Sequence, residues 1–383
     1  MRTWTASLLC LVLSACAGTP TAPSPEGLFH DQGFAAPSER ISAEKVFALS
    51  DEMQRYMKTD MAGLVRSKGV QRGLIDALYR RGDLKLEYDA DLTKNAAQAF
   101  ETRSGNCLSL VIMTAAFAKA LGLDVIYQSA VIPETWSRST DLYLASGHVN
   151  ITLGHRLGAR YGGSIGDDPF LIDFLPPEEL SGLRTRRIGE ETIVAMYMNN
   201  RAAEALAHGR VDDAYWWARA AIERDPSFVA AYNTLGVAYL RHRDPVRAET
   251  AFRRVLASEP RNTQAMFNLS RALAQLERDD ESAAVQQRLA QIEPHPPFHF
   301  FNLGRAAMKR GEYRAARDWF AREVARSGDY HEFHHWLAIA SFQLGDVEQA
   351  NKHLSLAQES SATGSEKGLY AAKLAWLRSQ RHH

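Results

Sequence analysis

The spacing of apolar positions changes character twice along the chain. From Ser42 to about Gly82, Val46, Leu49, Met53, Tyr56 and Met57 recur every three or four residues. That spacing predicts an amphipathic helix. A second helix is predicted from Leu64, Val70, Leu74, Leu78 and Tyr79, ending at Arg80-Arg81-Gly82. Leu84 to Tyr88 reads as a short strand and Ala96 to Thr102 as a helix broken by Gly105. Leu108 to Leu121 is apolar or small almost throughout, which predicts a helix buried on all sides. After Gly122 come three runs rich in β-branched and aromatic residues: Val125 to Ile132, Gly147 to Leu153 and Phe170 to Phe174. Bounded by Gly, Asp and Pro, they read as strands. The stretches Pro133 to Ser146 and Gly154 to Pro169 read as loops or hairpin turns. Helices followed by strands predict an α+β domain over residues 41–190.

From about Ile193 the pattern is helical again, now with a long period. Pro226, Pro260 and Pro294 recur every 34 residues. In register with them stand Tyr232, Leu235, Gly236, Tyr239, Ala248 and Phe252. The small residues would let two helices of a hairpin cross closely, and the large ones would fill the groove between them. The same offsets pick out Met198, Ala202, Ala205 and Ala214, then Met266, Leu269, Leu273 and Ser282. Next come Phe300, Leu303, Gly304, Ala316 and Phe320, and finally Leu337, Ala338 and Ala350. These positions resemble the tetratricopeptide family. The resemblance implies an all-α superhelix over residues 191–383, of about five repeats, with Glu366 to Arg381 as a closing helix. It also implies a surface for a peptide or protein partner.

The ends and the cysteines add a location. Arg2 precedes an apolar run, Ala6 to Val12, too short for a transmembrane helix and of the length of a signal h-region. Leu13-Ser14-Ala15-Cys16 resembles a bacterial lipobox, which implies a signal peptide over 1–15 and lipidation of Cys16. Ala17 after it implies, by the same resemblance, the outer membrane facing the periplasm. Residues 16–40, rich in Pro, Ala, Gly and Ser, read as a flexible tether. The chain has 383 residues, 45 basic and 45 acidic, for a formal net charge of zero. That balance gives no bulk attraction to nucleic acid or an acidic surface; the membrane is met through the lipid alone. The local cluster Arg184, Arg186 and Arg187 reads as a solvated interdomain segment.

With Cys10 in the signal and Cys16 lipidated, Cys107 is the single thiol of the mature body, without a disulfide partner in an oxidising compartment. Arg103-Ser104-Gly105-Asn106-Cys107 sets it at the first turn of the buried helix. Unpaired N–H groups and the helix dipole there would favour thiolate and could hold an oxyanion. His148 opens one strand-like run and Asp173 lies in another. If these strands are neighbours, an acid–base imidazole and its orienting carboxylate would meet. His155, Asp167 and Asp168 are weaker rivals. This order resembles the transglutaminase-like (papain-like) cysteine-enzyme superfamily over about Thr93 to Leu175. The resemblance implies Cys107 as nucleophile, His148 as general acid/base and Asp173 as orienter; the family's usual further donor to the oxyanion is not readable in the sequence, and Asn106 and Gln98 are guesses for it.

The implied function is a periplasmic thiol-dependent acyl transferase: a cysteine peptidase or amidase if water accepts the acyl group, a crosslinking transglutaminase if an amine does. The alternative is a non-enzymatic envelope adaptor acting through its repeats. Trp136 and Tyr143 could wall a substrate or simply pack. His331, His334 and His335 have helical spacing but no completing ligand set, and His295 and His299 sit in an inter-repeat turn. No metal site, phosphate-cradling loop or dinucleotide fingerprint is expected, and no cofactor.

Overall fold

A computed structural model describes residues 27–80, 86–89, 92–139, 142–156, 170–174, 184–295, 298–328, 330–361 and 364–379. The signal run, Cys16 and the terminal His382-His383 lie outside the described residues, as do Asp167, Asp168, Pro296 and Pro297. So do the side chains of Trp136, Tyr143, His155 and Arg184.

Short helices α1 (Asp51–Tyr56), α2 (Ala62–Lys68) and α3 (Val70–Ile75) come first. A two-residue strand β1 (Glu87–Tyr88) pairs in parallel with β2 (Ser104–Gly105), across helix α4 (Ala96–Thr102). Helix α5 (Cys107–Ala120) is the centre of this half. Every residue from Leu108 to Ala118 is buried, as its unbroken apolar run requires.

A four-stranded antiparallel sheet follows, in the order β5-β4-β3-β6. Its strands are β3 (Leu123–Ser139), β4 (Leu142–Arg156), β5 (Phe170–Ile172) and β6 (Arg184–Ile188). Two expectations change here. Residues 133–139 and 142–146, within a stretch expected as a loop or hairpin turn, lengthen β3 and β4, with Thr135 opposite Ser146 and Trp136 opposite Ala145. The register shifts between Ala130 and Thr135; Pro133 sits inside that irregularity, where its missing N–H costs no ladder bond. The Arg184, Arg186 and Arg187 segment, expected as solvated linker, is an edge strand on β3. Arg186 and Arg187 are exposed, and charge of this kind blunts a sheet edge.

The second half is helical hairpins: α6 (Glu190–Ala207) with α7 (Val211–Arg224), α8 (Val229–Arg241) with α9 (Pro245–Ser258), and α10 (Thr263–Gln275) with α11 (Asp279–Ile292). Then come α12 (His299–Lys309) with α13 (Tyr313–Arg326), α14 (His331–Gln343) with α15 (Val347–Glu359), and the closing α16 (Gly364–Ser379). A Cβ on Gly236 would stand 2.5 Å from the Phe252 ring, and one on Gly304 would stand 2.5 Å from the Phe320 ring. The small-against-large logic of the repeat is thus realised twice, in α8–α9 and in α12–α13.

One apolar core runs from α1 through the sheet into the first three hairpins, ending at Leu273. Strand β4 packs against α8 and α10, and α5 against α6. A second core begins at Phe298 and a third closes around Leu374. At the junction, Leu303 is 36% exposed, whereas its equivalents Leu235, Leu269 and Leu337 are at most 4% exposed.

The expected tether, 16–40, is corrected over its described part. Residues 27–40 form a strap docked on the first repeats. Leu28 and Phe34 are buried, and Phe34 stacks on Tyr215 with centroids 3.9 Å apart. Tyr215 Oη accepts from His30 N, Tyr239 Oη donates to Leu28 O, and Asp213 takes both the N–H and the hydroxyl of Ser38. Composition hides this, because the two large apolar residues find sites about 200 positions away, and those sites also satisfy the strap's backbone.

Candidate functional site

The turn that delivers Cys107 is locally encoded. Arg103 caps α4 in the left-handed region, at φ 52°. Gly105 follows, where a Cβ would meet Ser109 Cβ at 2.6 Å, so glycine alone lets the turn approach the helix it feeds. Asn106 caps α5, its Oδ1 accepting from Ser109 N at 2.9 Å and Ser109 Oγ at 2.8 Å. Cys107 is therefore the first residue of α5, half-buried and free of any disulfide.

His148 and Asn150 lie two apart on β4, hence on one face of the strand. Ile151 pairs with Ile172; one step further along the ladder sets Asp173 beside Asn150, with His148 diagonal to it. Asp173 uses both oxygens: Oδ1 stands 2.7 Å from His148 Nε2, and Oδ2 accepts from Asn150 Nδ2 at 2.8 Å. The His148 and Asp173 side chains are 3% and 4% exposed. The structure thus brings two of the sequence-derived residues into contact. It brings the third close: the Val149 N–H faces the Cys107 sulfur, and the Asp173 charge acts on it.

The thiol departs from expectation. A helix N-terminus pulls a cysteine pKa down, and the N–H groups of Val149, Leu108 and Cys107 itself do so here. Burial is the larger effect and pushes the Cys107 thiol up, with the Asp173 carboxylate adding to it. Burial and the Asp173 carboxylate together favour the neutral thiol of Cys107.

Asn150 was not picked out from the sequence, although its place two residues beyond His148 was the available signal. Its Oδ1 is buried without a hydrogen-bond partner. Of the guessed oxyanion donors, Asn106 donates its amide to Thr93 Oγ1 at 2.9 Å, and Gln98 Oε1 accepts from Asn95 N in the cap of α4.

The histidines of α14 make ordinary contacts. His331 Nδ1 lies 2.8 Å from Tyr370 Oη, and His334 Nε2 donates to Gly328 O at 2.7 Å. His334 Nδ1 faces His353 Nδ1 at 3.1 Å, and His335 Nε2 meets Lys373 Nζ at 2.5 Å. Among the described residues, no group of three or more His, Cys, Asp or Glu side chains is arranged to hold a metal. Among them too, no helix is long and apolar enough to cross a membrane.

Residues 199–257, 233–296 and 301–365 match the family model described as tetratricopeptide repeat. Similar solved structures include YrrB, described as a TPR protein with an unusual peptide-binding site. It is 20% identical, covering 47% of this chain and 92% of that one, at TM-score 0.26. A thermophilic TPR protein of Thermus thermophilus, TTC0263, is 20% identical, covering 47% and 99%, at TM-score 0.33. Pseudomonas aeruginosa pilF is 20% identical, covering 51% and 88%, at TM-score 0.31. No curated protein matches the chain. The helical hairpins lying between residues 199 and 365 are tetratricopeptide repeats.

Proposed function

We propose that this chain is a scaffold that binds a peptide or protein through its repeats. The tandem match over residues 199–296 and 301–365 carries the reading, joined to one exposed apolar position in the array. Leu303 is exposed where its equivalents are core, and strand β4 already covers α8 and α10 but not α12 or α14 among the principal contacts. An exposed apolar position within an array of helical hairpins is the kind of surface that takes a segment of another chain. A photo-crosslinking residue in place of Leu303 tests this in cells. A discrete adduct, absent when the probe replaces the exposed Gln287 on α11, supports the reading; no adduct contradicts it.

A second reading is favoured by one observation, the buried Asp173–His148 contact beside Cys107. In it the domain over 41–190 is transglutaminase-like and performs acyl transfer on the bound partner. His148 takes the thiol proton as sulfur adds to an amide carbonyl. It returns that proton to the departing amine as the C–N bond breaks, leaving a thioester, and then activates the acceptor. Water as acceptor gives peptidase or amidase chemistry, and an amine gives crosslinking. Incubation with p-nitrophenyl acetate, followed by intact mass, tests it. A burst of p-nitrophenol with one acetyl on Cys107, lost in His148→Ala, is expected; no acylation of the native chain would sink the reading.

The location proposed with it is the outer membrane, with a lipid on Cys16 after removal of 1–15, supported by the run Ala6 to Val12 and by Leu13-Ser14-Ala15-Cys16. Membrane fractionation of Cys16→Ser checks this, with release into the soluble fraction as the expected result.

A further inference from the structure

The cap that holds Cys107 is itself held by the repeats. Asn106 Oδ1 caps α5, and its amide donates to Thr93 Oγ1 at 2.9 Å. Thr93 is 2% exposed. Its hydroxyl oxygen also accepts from Asn200 Nδ2 at 3.2 Å, and its N–H donates to Glu204 Oε1 at 2.6 Å. Asn200 and Glu204 lie four residues apart on α6, so they share one face of the first repeat helix. The neighbouring Lys94 N–H donates to Ser109 Oγ at 2.8 Å, and that hydroxyl donates in turn to Asn106 Oδ1. Residues 93 and 94 are thus a bridge, anchored on α6 at one end and on the first turn of α5 at the other. Burial raises the Glu204 carboxyl, while the Thr93 N–H and the Arg201 guanidinium hold it down.

Two of these bonds join residues more than a hundred positions apart. Capping alone does not require them, since Asn106 Oδ1 already serves the helix terminus. They hold the segment leading into α5 against α6.

We propose that Thr93, Asn200 and Glu204 are positioning residues for Cys107, so that the first helix of the repeat array belongs to the thiol site. This rests on the acyl-transfer reading of Cys107, His148 and Asp173. It implies that the domain over 41–190, cut from the repeats, loses the orientation of its thiol. A displacement of about 1 Å at a reacting group is enough to cost about a hundredfold in rate.

The test is the pH profile of Cys107 alkylation by iodoacetamide in the intact chain. The variants are Thr93→Val, Thr93→Ser, Asn200→Ala and His148→Ala. Thr93→Val keeps the shape and removes the hydroxyl; about a tenfold slowing at neutral pH, with the profile moved toward that of His148→Ala, is expected. Thr93→Ser should restore the rate to within about twofold, which a merely structural loss would not do. If Thr93→Val fails to fold, the half-exposed Asn200→Ala decides: a slowed, shifted profile supports the proposal and an unchanged one overturns it. Thr93→Val matching the unsubstituted chain while His148→Ala is slow overturns the positioning role alone. If His148→Ala also matches the unsubstituted chain, the acyl-transfer reading has failed instead.

Discussion

Asp173 Oδ1 lies 2.7 Å from His148 Nε2, with both side chains almost wholly shielded from solvent. Asp173 stands just past the end of β5 and His148 well inside β4, so the pair ties together an edge strand of only three residues and its neighbour. Removing one partner leaves polar groups buried and unmatched, which costs about 1–3 kcal/mol per group. Asp173→Ala strips both His148 and Asn150 of their acceptor. It is expected to destabilise the chain by about 2–4 kcal/mol in urea titration. Asp173→Asn, which keeps the shape, should cost less. Equal stability of Asp173→Ala and the unsubstituted chain would mean that the buried pair is not formed.

The Gly236–Phe252 contact gives a prediction about the repeats. A methyl group on Gly236 meets the ring at 2.5 Å, and overpacking of this kind costs about 1–3 kcal/mol. Gly236→Ala should therefore lower the thermal midpoint, and Phe252→Leu on the same chain should recover part of the loss. Gly304→Ala is the control at the second hairpin with the same geometry; it should behave alike, in the transition of the C-terminal core.

How much of this was legible in the sequence follows from the range of the interactions. The repeat pattern is written in residues at most one period apart, so Gly236, Phe252, Gly304 and Phe320 could be read directly. The cap of α5 is similarly local, because Gly105, Asn106 and Ser109 form it, but its tie through Thr93 to Asn200 and Glu204 spans more than a hundred residues and could not be read. His148 and Asp173 are visible as residue types, and only the ladder register of β4 and β5 shows that they touch. Asn150 escaped because an asparagine in a strand carries no signal until its neighbour is known. The strap escaped for a related reason: its partners, Asp213, Tyr215 and Tyr239, lie on distant helices. The pKa of Cys107 moved against the helix-dipole argument because burial is a property of the whole packed domain, which no local segment records.

The strap yields its own prediction. Phe34 is buried on Tyr215 and Tyr239, and Trp216 Nε1 donates to Ala35 O at 2.6 Å. Truncating a buried phenylalanine costs about 3–5 kcal/mol. Phe34→Ala should release the strap, seen as rapid hydrogen exchange over residues 28–39 with the exchange of α10 unaltered. Protection of the strap unchanged in that variant would show that its docking does not depend on the aromatic stack.

Acid should weaken the last repeats first. Burial, with Lys373 and His331 nearby, pushes His335 down to about 4. Burial, with His334 and Lys352 nearby, does the same to His353. Both imidazoles are therefore neutral in the fold, while the unfolded chain takes up protons below about 6.5. Stability carried by these groups is complete above that value and is lost as pH falls from about 6.5 to about 4. Circular dichroism melts at intervals from neutral pH down to about 4.5 should show the C-terminal transition moving down. His353→Gln should flatten the slope, and a pH-independent transition in the unsubstituted chain would contradict the assignment.

In the proposed function the repeats hold a segment of another chain at the exposed Leu303. Panning a random-peptide display library on the intact chain, in parallel with its Leu303→Asp variant, measures this most directly. A recovered family of peptides sharing a motif is expected, retained by Cys107→Ala and lost or weakened at least tenfold, about 1.4 kcal/mol, by Leu303→Asp. No enriched motif, or one bound equally by the Leu303→Asp variant, would contradict it.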